Sequence, residues 1–233
     1  EALPGHHRPI RAVAERGIAV DQRQEPPLHR PPENPVAGQP QPPSPANILG
    51  SVSASPLQMA SVFAAIANSG QQCTPQAIES EKDPDENVLK EFSADCKEVI
   101  SPDVANKTAA LLTASAGQYY TSTRLGDGRP FAAKSGTTDG YANTWLTGFT
   151  PSIVTSAWVG HGENSSQEVG AVTINGHYYG EIYGETFVGQ NIWAPYMTQV
   201  LAGTPVEAVS NANIGASSPR TSTPTPSPPS SGH

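Results

Sequence analysis

The residues best placed to do chemistry together lie in Phe131-Ala-Ala-Lys134-Ser-Gly-Thr-Thr138. One cation, Lys134, and three hydroxyls, on Ser135, Thr137 and Thr138, surround Gly136. Such a set suits a carboxylate. The ammonium supplies a point charge, and the hydroxyls are short donors that can turn toward it. Gly136 has no Cβ, so a ligand backbone can lie flat against the chain there. For the bare Lys-Ser-Gly triplet alone, an ordinary hairpin with a solvated lysine is the better account.

These groups need a strand to hold them. Phe131, Ala132 and Ala133 are small or apolar, as a buried strand requires, so the stretch reads as an edge strand running into a turn at Asp139-Gly-Tyr. Strands over 143–149 and 153–159 follow, rich in Thr, Trp, Val and Ile. Upstream, Ser55 is an N-cap candidate, Pro56 fits the first helical position and Gly70 fits C′. Met59, Phe63, Ile66 and Ala67 make one apolar face of that helix. Two strands are expected between Gln72 and Phe92, around the Lys82-Asp-Pro-Asp-Glu86 turn. A second helix starts at Ser101-Pro-Asp and is expected to reach Ala116, with Val104, Ala105, Leu111 and Leu112 inward and Gly117 ending it. Gln118 to Gly128 is a polar loop with an exposed Arg124. Residues 160–189 read as a long excursion with a short hairpin. Its Tyr178, Tyr179 and Tyr183 either contact a sugar or peptide or pack under the loop. A final helix over 191–201 is kinked or started at Pro195.

The run from Lys134 to Trp145, with Thr147-Gly-Phe-Thr-Pro151 after it, is far more specific than the triplet. It resembles the transpeptidase domain of penicillin-binding proteins, among the penicillin-recognising serine acyltransferases. The Ser55-Pro-Leu-Gln-Met-Ala helix and the helix around Trp193 resemble that family as well. The resemblance implies an α/β (α+β) fold, an antiparallel sheet flanked by helices. It implies that Lys134 holds the carboxylate of a peptidoglycan stem peptide or of a β-lactam and lies beside the general base as a second cation. The backbone N–H of Thr137 matches an oxyanion-hole position. Lys134 and Thr137 are thus the catalytic candidates, and Lys134, Ser135, Gly136, Thr137 and Thr138 the substrate-binding ones.

The departures from the family pattern are equally informative. A serine hydroxyl attacks only when a neighbouring base takes its proton, and the family uses Ser-x-x-Lys for this. No Ser-x-x-Lys and no Ser-x-Asn occurs in the 233 residues. Ser93-Ala-Asp95 and Ser101-Pro-Asp103 imitate the second motif but follow the helix that the family's motif precedes. The resemblance covers residues 47–205, an incomplete transpeptidase fold, and the expectation is a chain inactive in acyl transfer by itself. A β-lactamase-like hydrolase and a non-catalytic wall-peptide-binding remnant are the alternatives.

Composition sets further bounds. Of 24 prolines, eleven lie before Asn47 and five after Pro205. Residues 1–46 therefore read as a disordered Pro/Arg-rich segment outside the family pattern, apart from a short helix around Arg11 to Val20, and 206–233 as a disordered Ser/Thr/Pro tail. A frameshift, truncation or unusual gene start would account for residues 1–44, which the upstream DNA would test. The net charge of −8 gives no support to nucleic-acid binding. No apolar run approaches the roughly 20 residues needed to cross a bilayer, so no transmembrane segment is expected. No metal spacing appears: His6, His7, His161 and His177 read as solvated loop residues, and no cofactor is expected. Cys73 and Cys96 read equally as a disulfide or as two thiols on spacing alone. The extracytoplasmic, cell-envelope placement implied by the family favours the disulfide, contributing about 2–4 kcal/mol.

Overall fold

Capping chemistry starts both long helices. In a computed structural model, which describes residues 11–13, 45, 50, 53–162 and 166–209, helix α1 spans Pro56–Ala67. The Ser55 hydroxyl accepts the Gln58 N–H (3.2 Å), and the Gln58 side chain accepts the Ser55 N–H (2.8 Å). This reciprocal pair satisfies two donors that helix geometry would leave open. At the other end Asn68 is the C-cap, and the left-handed backbone falls on Ser69 (φ 50°) and Gly70 (φ 91°). The turn is thus shared by two residues, with Gly70 one place beyond its expected position. Helix α2, Pro102–Tyr119, is capped by Ser101, whose hydroxyl accepts the Val104 N–H.

Between the helices lie two small antiparallel ladders. Strand β2 (Gln71–Cys73) pairs with β5 (Cys96–Glu98), and β3 (Ser80–Lys82) with β4 (Val88–Glu91). The second pair closes around the expected turn, where the Asp83 carboxylate accepts N–H groups from Asp85 and Asn87. Cys73 and Cys96 sit directly opposite and form a disulfide.

The main sheet carries four strands in the order β1-β8-β7-β6. These are β1 (Arg11–Val13), β6 (Ala132–Thr137), β7 (Asn143–Phe149) and β8 (Ile153–Gly160). Strands β6, β7 and β8 are antiparallel, and β1 joins β8 in parallel. Arg11–Val13 is therefore strand, not helix: the open edge of β8 offers backbone donors and acceptors that an extended segment satisfies. The rest of the Pro-rich N-terminal segment except Pro45, with His6 and His7, and the tail beyond residue 209 lie outside the described residues.

The two-residue period of the strands divides the core into two. One face presents Ala132, Phe149 and Val154 to Ala60 and Phe63 of α1 and Ala109 of α2. The other presents Ala133, Leu146 and Ala157 to the C-terminal helix, with Phe187, Val188, Trp193 and Met197. That helix begins at Gly184, earlier than expected. Gly184–Trp193 is a wide i→i+5 helix that passes into α3, Ala194–Val200. The Ala194 N–H still bonds the Gly189 carbonyl five residues back, and Pro195, which has no N–H, stands where the pitch tightens.

Helix α2 departs from expectation in two ways. It runs through Gly117 to Tyr119. A helical glycine costs only about 1 kcal/mol, and the buried Tyr120 just beyond anchors the extra turn. Ala105 is buried and Leu112 packs on the core, whereas Val104 (52%) and Leu111 (58%) are exposed. The stripe Ala105, Ala109, Ala116 is made of small side chains, which lets α2 lie close to its neighbours and turns the bulkier pair aside.

Between β8 and the C-terminal helix, β9 (Val172–Ile174) and β10 (His177–Tyr179) form the short hairpin expected in the 160–189 excursion. Tyr179 packs edge-on against Phe187, with ring centroids 4.9 Å apart, while Tyr178 is exposed.

Candidate active-site edge

Strand β6 pairs with β7 on one side, and among the described residues no strand pairs with its other side. The chemistry-bearing residues are therefore on an open edge. Lys134 is exposed and stands opposite Thr147, with its ammonium donating to the Ser135 carbonyl (2.7 Å). The Ser135 N–H donates to the Tyr120 hydroxyl (2.9 Å), away from β7. By the strand period, the Thr137 N–H turns toward the same open edge. Lys134 also lies on the opposite sheet face from Ser135 and Thr137, as alternation requires.

Each hydroxyl has a distinct environment. Ser135 Oγ accepts from the Tyr120 hydroxyl (3.2 Å). Thr137 Oγ1 accepts the Gly184 N–H (3.0 Å), which ties β6 to the start of the C-terminal helix. Thr138 Oγ1 accepts the Asn143 N–H (2.9 Å), and the Thr138 N–H donates to the Asn143 carbonyl (3.0 Å). Thr138 thereby closes the turn between β6 and β7. Within the turn, Asp139–Tyr141, both Gly140 (φ 60°) and Tyr141 (φ 57°) adopt left-handed backbone, so the segment is kinked and not a regular helical turn. The Tyr141 ring meets Tyr183 edge-on, with centroids 5.2 Å apart. Its hydrogen bond to Tyr183, together with desolvation and the Tyr183 and Glu181 charges, pushes the Tyr141 phenol up to about 12.

Two glycines behave differently. A Cβ on Gly184 would collide with the Trp145 carbonyl and lie 2.9 Å from Ser135 Cβ, so this glycine is demanded by the close approach of helix to sheet. A Cβ on Gly136 would meet only Trp145 Cβ, at an ordinary 3.7 Å. The protein's own packing does not require glycine at 136.

Of the residues singled out from the sequence, Lys134, Ser135, Gly136 and Thr137 lie along the edge strand and Thr138 lies in the turn after it. Sequence reasoning missed Tyr120 and Gly184. A partial signal for Tyr120 existed: Ala105, Ala109, Leu112 and Ala116 repeat at helical spacing, and the next step falls at 119 or 120, both tyrosines, without choosing between them. Arg124 is exposed, as its loop position suggested. Among the described residues no His, Cys, Asp and Glu cluster could hold a metal, and no helix is long and apolar enough to cross a membrane.

Comparison with known proteins agrees with this geometry. The family model described as the penicillin binding protein transpeptidase domain matches residues 34–182, more than half of the chain. Penicillin-binding protein 1A of Mycolicibacterium smegmatis is 32% identical over 174 residues, covering 72% of this chain and 21% of that protein. Penicillin-binding protein 2D of Bacillus subtilis is 30% identical over 177 residues, covering 70% and 23%. Among solved structures, the penicillin-binding protein PonA1 from Mycobacterium tuberculosis superposes with a TM-score of 0.59 at 28% identity, covering 76% of this chain and 48% of that one. The same protein has been solved in complex with penicillin V, with a TM-score of 0.59, 29% identity and coverage of 75% and 47%. The chain thus spans about a fifth of the length of the curated relatives it matches. The open β6 edge, the helix-sheet-helix layers and these matches agree: this chain belongs to the penicillin-binding protein transpeptidase domain family.

Proposed function

We propose that this chain supplies the carboxylate-binding and oxyanion wall of a peptidoglycan D,D-transpeptidase cleft. Its substrate is a stem peptide ending in a free carboxylate, and a β-lactam occupies the same place. One observation carries the reading: β6 is an open edge strand with its only cation exposed and a glycine at 136 that internal packing does not require. An extended peptide can lie along such an edge, pairing backbone to backbone. Lys134 attracts the terminal carboxylate, and Ser135 donates to it. The Thr137 N–H stabilises the oxyanion that forms when the scissile carbonyl is attacked. Thr137 Oγ1 is anchored to Gly184, which fixes the strand position that this N–H needs.

The attacking serine and its base are not among these residues, since no Ser-x-x-Lys occurs in the sequence. Acyl transfer by the 233 residues alone is therefore excluded in this reading, and they act as the binding wall of a larger catalytic unit. A non-catalytic peptide-binding role is the second reading, favoured by the same absence. The Cys73–Cys96 disulfide supports an oxidising, extracytoplasmic compartment.

Incubation with a fluorescent penicillin followed by intact mass spectrometry tests the proposal. The expected result is saturable, reversible binding without a covalent adduct. A stable serine adduct overturns the claim that the chain cannot be acylated, and turnover of the drug identifies a hydrolase instead.

A further inference from the structure

We infer that Tyr120 is a positioning residue for this edge, one that makes Ser135 a hydrogen-bond donor to the substrate carboxylate and ends the peptide-pairing lane at Thr137. The inference rests on the carboxylate-wall reading above and extends it to a residue outside the Lys-Ser-Gly-Thr strand. Tyr120 is 6% exposed, its ring packed in the core among the C-terminal helix residues, yet its hydroxyl reaches the open edge of β6. There it makes two bonds, accepting the Ser135 N–H at 2.9 Å and donating to Ser135 Oγ at 3.2 Å.

A phenol has a single proton to donate. Because Tyr120 spends it on Ser135 Oγ, the serine's own proton is left to be donated elsewhere. The ammonium of Lys134 sits on the Ser135 carbonyl at 2.7 Å, at the same edge. The two side chains leave opposite faces of the sheet, so a hydroxyl with an uncommitted proton and an ammonium flank the same strand edge, the setting an anionic group demands. The second bond has a separate consequence. A peptide adding to the edge would seek outward N–H groups two residues apart, at 135 and 137. The phenol already holds the one at 135, so pairing begins at Thr137. Only the terminal unit of the ligand then lies beside Lys134 and Ser135, and it meets side-chain donors instead of backbone ones.

Tyr120→Phe removes the hydroxyl and keeps the ring, so the core is retained. Two measurements on the full 233-residue chain test the inference. The first is amide exchange without ligand: Tyr120→Phe should speed exchange at Ser135 at least tenfold while Leu146 in β7 is unchanged. Unaltered exchange at Ser135 overturns the inference. The second is affinity for an N-acyl-D-alanyl-D-alanine and for its C-terminal amide. Tyr120→Phe should reduce the preference for the carboxylate by about fivefold, and the same substitution in a Ser135→Ala background should change it no further. Equal effects in both backgrounds show that Tyr120 does not act through Ser135 and overturn the inference. If wild type shows no carboxylate preference and Lys134→Ala changes nothing, the carboxylate-wall reading fails, and the role given to Tyr120 falls with it. A wild-type preference that Tyr120→Phe leaves intact sinks the Tyr120 role alone.

Discussion

Replacing Gly184 by alanine separates packing from function at this edge. The new methyl would run into the Trp145 carbonyl, lie 2.9 Å from Ser135 Cβ and sit 3.1 Å from the Gly136 carbonyl oxygen. Two of these three neighbours are backbone atoms, which cannot swing aside as a side chain does. Overpacking costs about 1–3 kcal/mol, and the backbone obstruction places this substitution at the upper end. For a chain of this size each kcal/mol moves the thermal midpoint by about 2–4 °C, so the expected fall is about 6–12 °C. The Gly184 N–H, which donates to Thr137 Oγ1 at 3.0 Å, would be displaced as the helix start moves outward. Circular dichroism melts of wild type and Gly184→Ala give the first number. Amide exchange at Gly184 reports the second, and it should quicken. A midpoint within about 2 °C of wild type would mean that the helix does not approach β6 as closely as described, and the anchoring of Thr137 would lose its basis.

Three further outcomes are expected. Gly136→Ala should melt at or slightly above wild type, because its Cβ makes only an ordinary 3.7 Å contact with Trp145 Cβ and alanine restricts the unfolded chain. It should nevertheless lower affinity for a D-alanyl-D-alanine peptide at least tenfold in a fluorescence-anisotropy titration. Removing the disulfide with Cys73→Ala plus Cys96→Ala should cost about 3 kcal/mol for a sequence separation of 23 residues. A reducing agent should lower the wild-type midpoint and leave the double variant's unchanged. Finally, the buried Arg129 guanidinium donates to the Asp127 carboxylate (2.7 Å) and to the Leu201 (3.3 Å) and Thr204 (3.0 Å) carbonyls at the end of α3. That hydrogen bond holds the Asp127 carboxyl below the usual carboxylate range. Its stabilising contribution is therefore present above the ordinary aspartate value and lost as pH falls through the lowered one. Arg129→Met should be less stable by about 1–3 kcal/mol at neutral pH and should flatten this part of the acid limb in urea titrations.

Much of the edge was legible because it is written in local chemistry. Strand β7 begins and ends where its Thr, Trp and Phe pattern begins and ends, and Ser55 caps α1 through a bond three residues away. The turn at Thr138 was visible in the polar and glycine residues that follow Lys134. What escaped depends on contacts distant in sequence. Gly184 is required by the Trp145 carbonyl, and nothing in its neighbours announces this. Tyr120 and Ser135 are fifteen residues apart and meet only because α2 passes through Gly117 instead of stopping. Val104 and Leu111 were expected inward on hydrophobicity, but the close approach of α2 selects its alanines. The early start of the C-terminal helix was hidden for a related reason. An i→i+5 helix does not follow the 3.6-residue period used to find helices.

The central claim is that Lys134 forms the anion-binding part of an open strand edge. Isothermal titration of wild type and Lys134→Ala with an N-acyl-D-alanyl-D-alanine, and with the same peptide as its C-terminal amide, tests it most directly. A charge-assisted bond predicts that wild type prefers the carboxylate by about 10–100-fold and that Lys134→Ala keeps no more than the roughly fivefold share assigned to Ser135. Equal binding of the two ligands by wild type, or a preference undiminished by loss of the lysine, would contradict it.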